Sequence, residues 1–209
     1  GNAGSGWVGE TAARPATDTP TINIVECTGA DLYTNPQVTQ WALDDIKFDA
    51  AAWLASEVGI EMAQRIQSKI VAGNGTNSPL GFLAAPQALT SDSAGRAFGT
   101  IQYRKTGQAA ALPVTTSDTI NLLIDTTHDL AQRYRDEAVW LMGTLTLSTL
   151  RKCKDADGRP ILLDSMVTGQ PATLLGYPVY EISDMPDIAA NALPIAFGKA
   201  YAGLGDVTG

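Results

Sequence analysis

Apolar positions are spaced very differently in different parts of this chain. The longest regular pattern lies between Asp49 and Ala72, where Leu54, Val58, Met62, Ile66 and Ile70 recur every fourth residue. Trp53, Ile60 and Ala63 widen that ridge, and Glu57, Glu61, Gln64, Gln67 and Lys69 lie opposite. Such spacing predicts an amphipathic helix, about 35 Å long at about 1.5 Å per residue. Gly59 interrupts it at a cost of roughly 1 kcal/mol relative to alanine, which suggests a close packing contact at that point. Gly73 is placed to end the helix as a left-handed C′ residue.

The remaining elements are shorter. Residues 21–33 read as a strand through Ile22 and Ile24, and Asn35-Pro36 as an N-cap and first helical position for a short helix, Gln37 to Asp44. Residues 97–105 are the best strand candidate between Ala84 and Thr116. Ser117 is read as the N-cap of a helix carrying Ile120, Leu123, Ile124, Leu130 and Tyr134. Further along, 138–142 reads as a buried strand and Thr144 to about Lys152 as a helix closed by a turn over Asp155–Pro160. Strands are expected around 174–182 and 193–201. Trp41, Trp53, Trp140 and Phe197 sit in apolar frames and are expected in the core. Residues 1–20 differ: with four glycines, two prolines and one large apolar pair, Trp7-Val8, they have no core of their own. An extended arm fits, with Trp7 docking elsewhere in the fold or on another subunit.

Composition narrows the function. Of the 209 residues 44% are hydrophobic and only 17% charged, against about a quarter in ordinary domains, which suggests a surface partly covered in the working state. The net charge is −8 with scattered cations, not the basic footprint of a nucleic-acid binder. Cys27 and Cys153 match no metal or redox spacing and are read as free thiols. No run is apolar enough to span a membrane. Both ends look like cuts.

Candidate chemistry is thin. The glycine-rich stretch Ala72–Leu83 follows a helix instead of preceding one, so it offers carbonyls where a phosphate cradle needs N–H groups; it also lacks the lysine of a Walker loop. Its Asn74-Gly-Thr76 sequon is read as a chance match. His128, the only histidine, has no acidic partner at i+4 and no G-x-S-x-G nucleophile to serve, so a helix-surface role is expected. Asp155 and Asp157 resemble the start of a calcium loop, but the glycine comes too early and the closing glutamate is missing. No catalytic residue, cofactor site or metal site is assigned.

Four motifs, taken in order, resemble the major capsid proteins of tailed bacteriophages, with the Hong Kong ninety-seven type fold. Trp7-Val-Gly-Glu10 looks like the returning strand of that family's extended loop. Ala72-Gly-Asn-Gly-Thr76 followed by Pro79-Leu-Gly-Phe-Leu83 resembles the end of its spine helix. Trp140-Leu-Met142 with Leu150-Arg-Lys152 and Lys154–Pro160 resembles W-V-M-N…L-K-D-x-x-G-R-P. Leu175–Val179, Ser183–Pro186 and Ile195–Gly198 complete the series.

The resemblance implies an α+β capsid fold, incomplete at both ends. Its parts would be the returning half of the extended loop (1–20), a peripheral domain of spine helix (about 49–72) plus sheet (21–116), and an α/β axial domain (117–209). It further implies a non-enzymatic coat subunit that forms homo-hexamers and homo-pentamers of an icosahedral head around double-stranded DNA. Location would be the virion, after assembly in the bacterial cytoplasm. Portal, scaffold or protease and decoration proteins are compatible partners, contact with packaged DNA is non-specific, and no membrane is involved. Trp7, Glu10, Gly73, Pro79, Gly81, Gly158 and Arg159 are the candidates for structural or assembly roles. Two departures stand out: Lys199 replaces the usual Asp, and the first lysine, Lys47, lies beyond the loop portion, so the cross-link made by some relatives is unsupported. An encapsulin-like compartment shell and, remotely, an α/β hydrolase are the alternatives.

Overall fold

A computed structural model describes residues 5–8, 13, 16–17, 29–37, 50–91, 94–109, 111–113, 115–154, 157–163 and 171–199. The expected short helix over 38–44, most of the strand over 21–33, Trp41, Cys27 and Glu10 lie outside them. Pro36 and Gln37 are exposed and carry no helical structure, and neither do Gly29–Asn35.

Three helices of real length occur in the described chain. Helix α1, Ala50–Ala72, matches its predicted span within a residue. A two-stranded parallel pair follows, β1 (Gln87–Ala88) with β2 (Ile101–Gln102). Next come α2 (Thr116–Asp129), a single turn α3 (Gln132–Arg135), β3 (Val139–Met142), α4 (Thr144–Lys152), β4 (Leu162–Leu163), β5 (Thr173–Leu174), β6 (Tyr177–Glu181) and β7 (Ile195–Gly198). The last five strands form one sheet in the order β4-β5-β6-β3-β7, in which β3 runs parallel to β6 and antiparallel to β7.

The core is built around β3. Alternation along a strand sends every second side chain to the same face, and Trp140 and Met142 are completely buried there. Leu123 from α2 and Leu147 and Leu150 from α4 close over them, together with Leu162, Leu174 and Val179. Burying each such side chain contributes about 1.5–3 kcal/mol. The Trp140 indole N–H donates to the carbonyl of Leu174 at 3.1 Å, so its one polar atom is satisfied, and its ring lies 4.5 Å from that of Phe197. One buried hydroxyl, Thr146 Oγ1, has no hydrogen-bond partner.

Several expectations are corrected here. The 97–105 strand shrinks to two residues because Ala97–Thr100 forms a turn, with Gly99 in the left-handed region (φ 79°). The 174–182 strand is a hairpin: Leu175 and Gly176 both have positive φ (52° and 85°), the backbone that a two-residue turn between right-twisted strands requires. The N-cap of α2 is Thr115, not Ser117: its hydroxyl accepts from the Asp118 N–H at 3.1 Å and donates to the Asp118 carboxylate at 2.7 Å. That helix also ends at Asp129, short of Tyr134.

Of the expected face of α2 only Leu123 is fully buried; Thr119 and Thr127 complete the buried ridge in place of the other Ile and Leu positions. The threonines fit because their hydroxyls bond back to carbonyls four residues earlier, Thr127 to Leu123 at 2.9 Å and Thr119 to Thr115 at 3.2 Å, which leaves no orphaned polar atom. Trp53 is exposed, unlike Trp140. Along α1 only Leu54, Val58 and Met62 of the expected ridge are partly shielded, Ile66 and Ile70 are exposed, and nothing approaches a Cβ built at Gly59.

Replacing Trp140 with alanine is expected to lower unfolding free energy by about 3–5 kcal/mol in the unassembled subunit. Ile66→Ala is expected to change it by no more than about 0.5 kcal/mol. Denaturant titration of the two variants measures the difference.

Candidate assembly surface

The last turn of a helix leaves carbonyls without intrahelical donors, and in α1 the chain itself returns to supply them. After Ala72 it loops out and back, so that Phe82 and Leu83 donate to the carbonyls of Ile70 and Val71 at 3.2 and 3.0 Å. Gly81 N–H donates to Gly73 O at 2.8 Å, and Gly73 N–H continues the helix onto Lys69 O at 2.9 Å. Asn74 holds the loop closed: its side-chain oxygen accepts from Thr76 N–H (3.1 Å) and from the hydroxyl of Ser78 (2.8 Å), which is buried.

Gly73 and Gly81 are required here for space. A Cβ at Gly73 would lie 2.0 Å from the Pro79 carbonyl oxygen, and one at Gly81 would lie 2.5 Å from Gly73 N and 2.6 Å from Val71 O. The expected left-handed conformation at Gly73 is absent; it occurs at Gly75 (φ 74°) and Asn77 (φ 51°) instead. Pro79, itself exposed, contributes the carbonyl that seals the approach to Gly73. The segment therefore turns back onto the helix end.

The remaining candidates lie apart from this joint. Trp7 is fully exposed. Gly158 occupies the left-handed region (φ 80°) in a turn closed by the bridge between Lys154 and Pro160, and Arg159 is exposed beside it. Lys199, at the position where the resemblance leads one to expect Asp, pairs with Glu137 at 2.7 Å, and that ion pair holds the Glu137 carboxyl below its ordinary range. Cys153 carries a free thiol that burial pushes above its usual value. His128 is exposed on α2, its Nδ1 2.9 Å from the carbonyl of Ile124.

Sequence reasoning missed an ionic clamp. Arg104, just beyond β2, grips both oxygens of Asp129 and reaches Asp125 at 3.1 Å. Gln102 also bonds Asp129, and Arg96 donates to Gln102 at 3.0 Å. The bond from Arg104 is the main reason the Asp129 carboxyl lies below its ordinary range, and the same bond raises the arginine. One signal was available: Asp125 and Asp129 stand four apart on a helix face, where like charges repel unless a cation lies between them.

A hollow of about 590 Å³ beside the clamp is lined by Tyr103, Arg104, Lys105, Leu112, Leu193 and Pro194 among others. Among the described residues no Asp or Glu lines it, so it holds no paired carboxylates; Tyr103, Lys105 and Thr106 are among its polar groups. Large apolar side chains are instead presented outward: Trp53, Ile60, Ile66 and Ile70 on α1, then Leu80, Leu89, Phe98 and Ile101.

Residues 1–204 match the family described as Phage capsid family. The chain belongs to that family. Among solved structures it is similar to the capsid of an empty GTA (gene transfer agent) particle, at 38% identity and a TM-score of 0.79 over 94% of this chain and 64% of that one. The capsid of a native GTA particle, also 38% identical, covers the same share of this chain and 65% of its own, with a TM-score of 0.82. The chain thus spans slightly less than two thirds of the length of these capsid proteins. Nothing among curated proteins matches it. Family and fold are those of a structural protein, and the mixed helix-and-sheet architecture is the capsid fold anticipated from the motifs.

Two measurements test the joint and the clamp. Gly73→Ala and Gly81→Ala are each expected to lower the thermal midpoint, at a cost of about 1–3 kcal/mol for forcing backbone apart. Gly59→Ala, open on all sides, is expected to raise it by up to about 1 kcal/mol. Because its carboxyl is depressed, the stability that Asp129 contributes is complete above about pH 4, the ordinary range of a free aspartate, and is lost as pH falls through the lower folded value. The stability gap between the unsubstituted chain and Asp129→Asn should therefore be constant near neutrality and close in acid, as followed by unfolding at stepped pH.

Proposed function

We propose that this chain is part of a major coat subunit that self-assembles into the icosahedral head of a tailed-phage-type particle around double-stranded DNA. The observation that carries the reading is the 38% identity to particle capsids over 94% of the chain. The exposed apolar side chains of α1 and the outward Trp7 support it, since monomers rarely leave so much large apolar surface uncovered. Hexamers and pentamers of identical subunits form the shell, and the particle is where the protein resides, after assembly in the host cytoplasm.

In this reading residues 1–20 are the returning half of an extended loop, 21–116 a peripheral domain with α1 as its spine, and 117–209 an axial domain. Trp7 and Glu10 act in subunit contact; Gly73, Pro79 and Gly81 fix the end of the spine; Gly158 and Arg159 shape an axial turn. The subunit performs no catalysis and holds no cofactor. Portal, scaffold or protease and decoration proteins are its further partners, and its acidic balance suits a lining that confines DNA without gripping it.

The full-length protein is expected to form closed shells visible by electron microscopy; one that stays monomeric at high concentration overturns the proposal. Trp7→Ala is expected to leave the unfolding midpoint of the free subunit unchanged. It should reduce shell yield about tenfold or more, the scale of one truncated aromatic anchor.

A further inference from the structure

The apolar core of the α/β section stops short of the first half of the chain. Among the described residues it runs from Leu112 to Phe197, and no side chain of α1, β1 or β2 belongs to it. The first half is a body of another kind, held by bonds to the main chain. The joint fastens Phe82 and Leu83 to the end of α1. Beyond it the Gln87 side chain donates to the carbonyl of Leu83 at 2.7 Å, Ile101 N–H to that of Pro86 at 2.8 Å and Tyr103 N–H to that of Ala88 at 3.0 Å. Rod, joint and small sheet are thus one unbroken series of bonds.

Between this body and the α/β section the chain is irregular. None of the described residues from Tyr103 to Pro113 lies in a helix or strand, and Gly107 occupies the left-handed region (φ 74°). The hollow of about 590 Å³ opens at the same junction, lined by Tyr103, Lys105 and Gln108 from this stretch and by Leu193 and Pro194 from the α/β section. Polar bonds cross where apolar packing does not, and they meet at one place on α2. Arg104 holds both oxygens of Asp129 and one of Asp125, and Gln102 bonds Asp129.

Two bodies joined by a small polar contact move relative to one another unless a large apolar interface prevents it. We propose that the chain about Gly107 is a hinge and that Arg104, with Asp125 and Asp129, is its latch. The chemistry suits a contact that opens. None of the three latch residues belongs to the core, and each side chain is partly exposed, so water replaces the lost bonds at small cost. Arginine is required because its planar fork meets both oxygens of one carboxylate and still reaches a second. Without it Asp125 and Asp129, four apart on one helix face, are left as uncompensated like charges.

Spin labels on cysteines placed at Gln67 of α1 and Thr149 of α4, both exposed, report the arrangement by pulsed dipolar spectroscopy. The sample is the free full-length subunit carrying Cys27→Ser and Cys153→Ser. One narrow distance distribution is expected while the latch is intact; a distribution already broad overturns the proposal. Arg104→Gln should raise the population at other distances about tenfold, the scale of an exposed network of two ion pairs. Asp129→Asn, which keeps Arg104 in place, should act in the same direction, and it serves as the reading if Arg104→Gln fails to fold. Distributions as narrow in these variants as with the latch intact overturn the proposal. A second pair of labels, at Asn121 and Thr149 within the α/β section, should not respond. Equal broadening of that pair also overturns the latch, since Arg104 would then stabilise the fold as a whole and not the hinge.

Discussion

Bare carbonyls at the end of a long helix must find donors, and in this protein that requirement sets the path of the chain beyond it. The N–H groups of Phe82 and Leu83 reach Ile70 and Val71 only if main chain can lie directly on main chain, which excludes a Cβ at Gly73 and Gly81. The loop between them is consequently short, closed by the side chain of Asn74, and folded onto the helix. The exit direction of the chain from α1 is thus fixed by several hydrogen bonds and two missing side chains. A loop merely long enough to turn would leave that direction soft, whereas this one makes the rod and its sequel a single rigid piece.

What was legible in the sequence follows from which physical effect governed each element. The rod was legible within a residue because twenty-odd positions vote on one period. β3 and α4 were legible because Trp140, Met142, Leu147 and Leu150 repeat the period of their elements and are buried accordingly. The α2 ridge was legible only at Leu123, since a threonine whose hydroxyl bonds its own helix behaves as an apolar residue while reading as a polar one. The break at Leu175-Gly176 was hidden because non-glycine residues adopt positive φ seldom, so Leu175 gave no warning. Gly73 was singled out for the right position and the wrong reason: glycine in sequence does not reveal whether dihedral freedom or space is what it supplies. The Arg104 clamp spans more than twenty residues, and no local pattern encodes a partner at that distance.

Assignment to the capsid family came from motifs distributed along the chain, not from any site. The candidates instead fall into two physical kinds. Gly73, Gly81 and Gly158 shape backbone, while Trp7 and the exposed apolar residues present area.

Apolar residues occur around most of the circumference of α1: Trp53 and Ile60 on one side, Ile66 and Ile70 on another, and the partly shielded Leu54, Val58 and Met62 on a third. Large apolar side chains left in water favour neighbours that cover them, and among the described residues of α1 Val71 alone is buried. The main sheet has its own core and needs no such help. Burial is therefore divided unevenly among the described residues, with a shared core in the α/β section and a rod whose large side chains are mostly exposed. Binding that favours only the ordered state adds to apparent stability in proportion to how strongly it discriminates against the disordered one. Covering α1 in an assembly would thus stabilise the rod far more than the sheet.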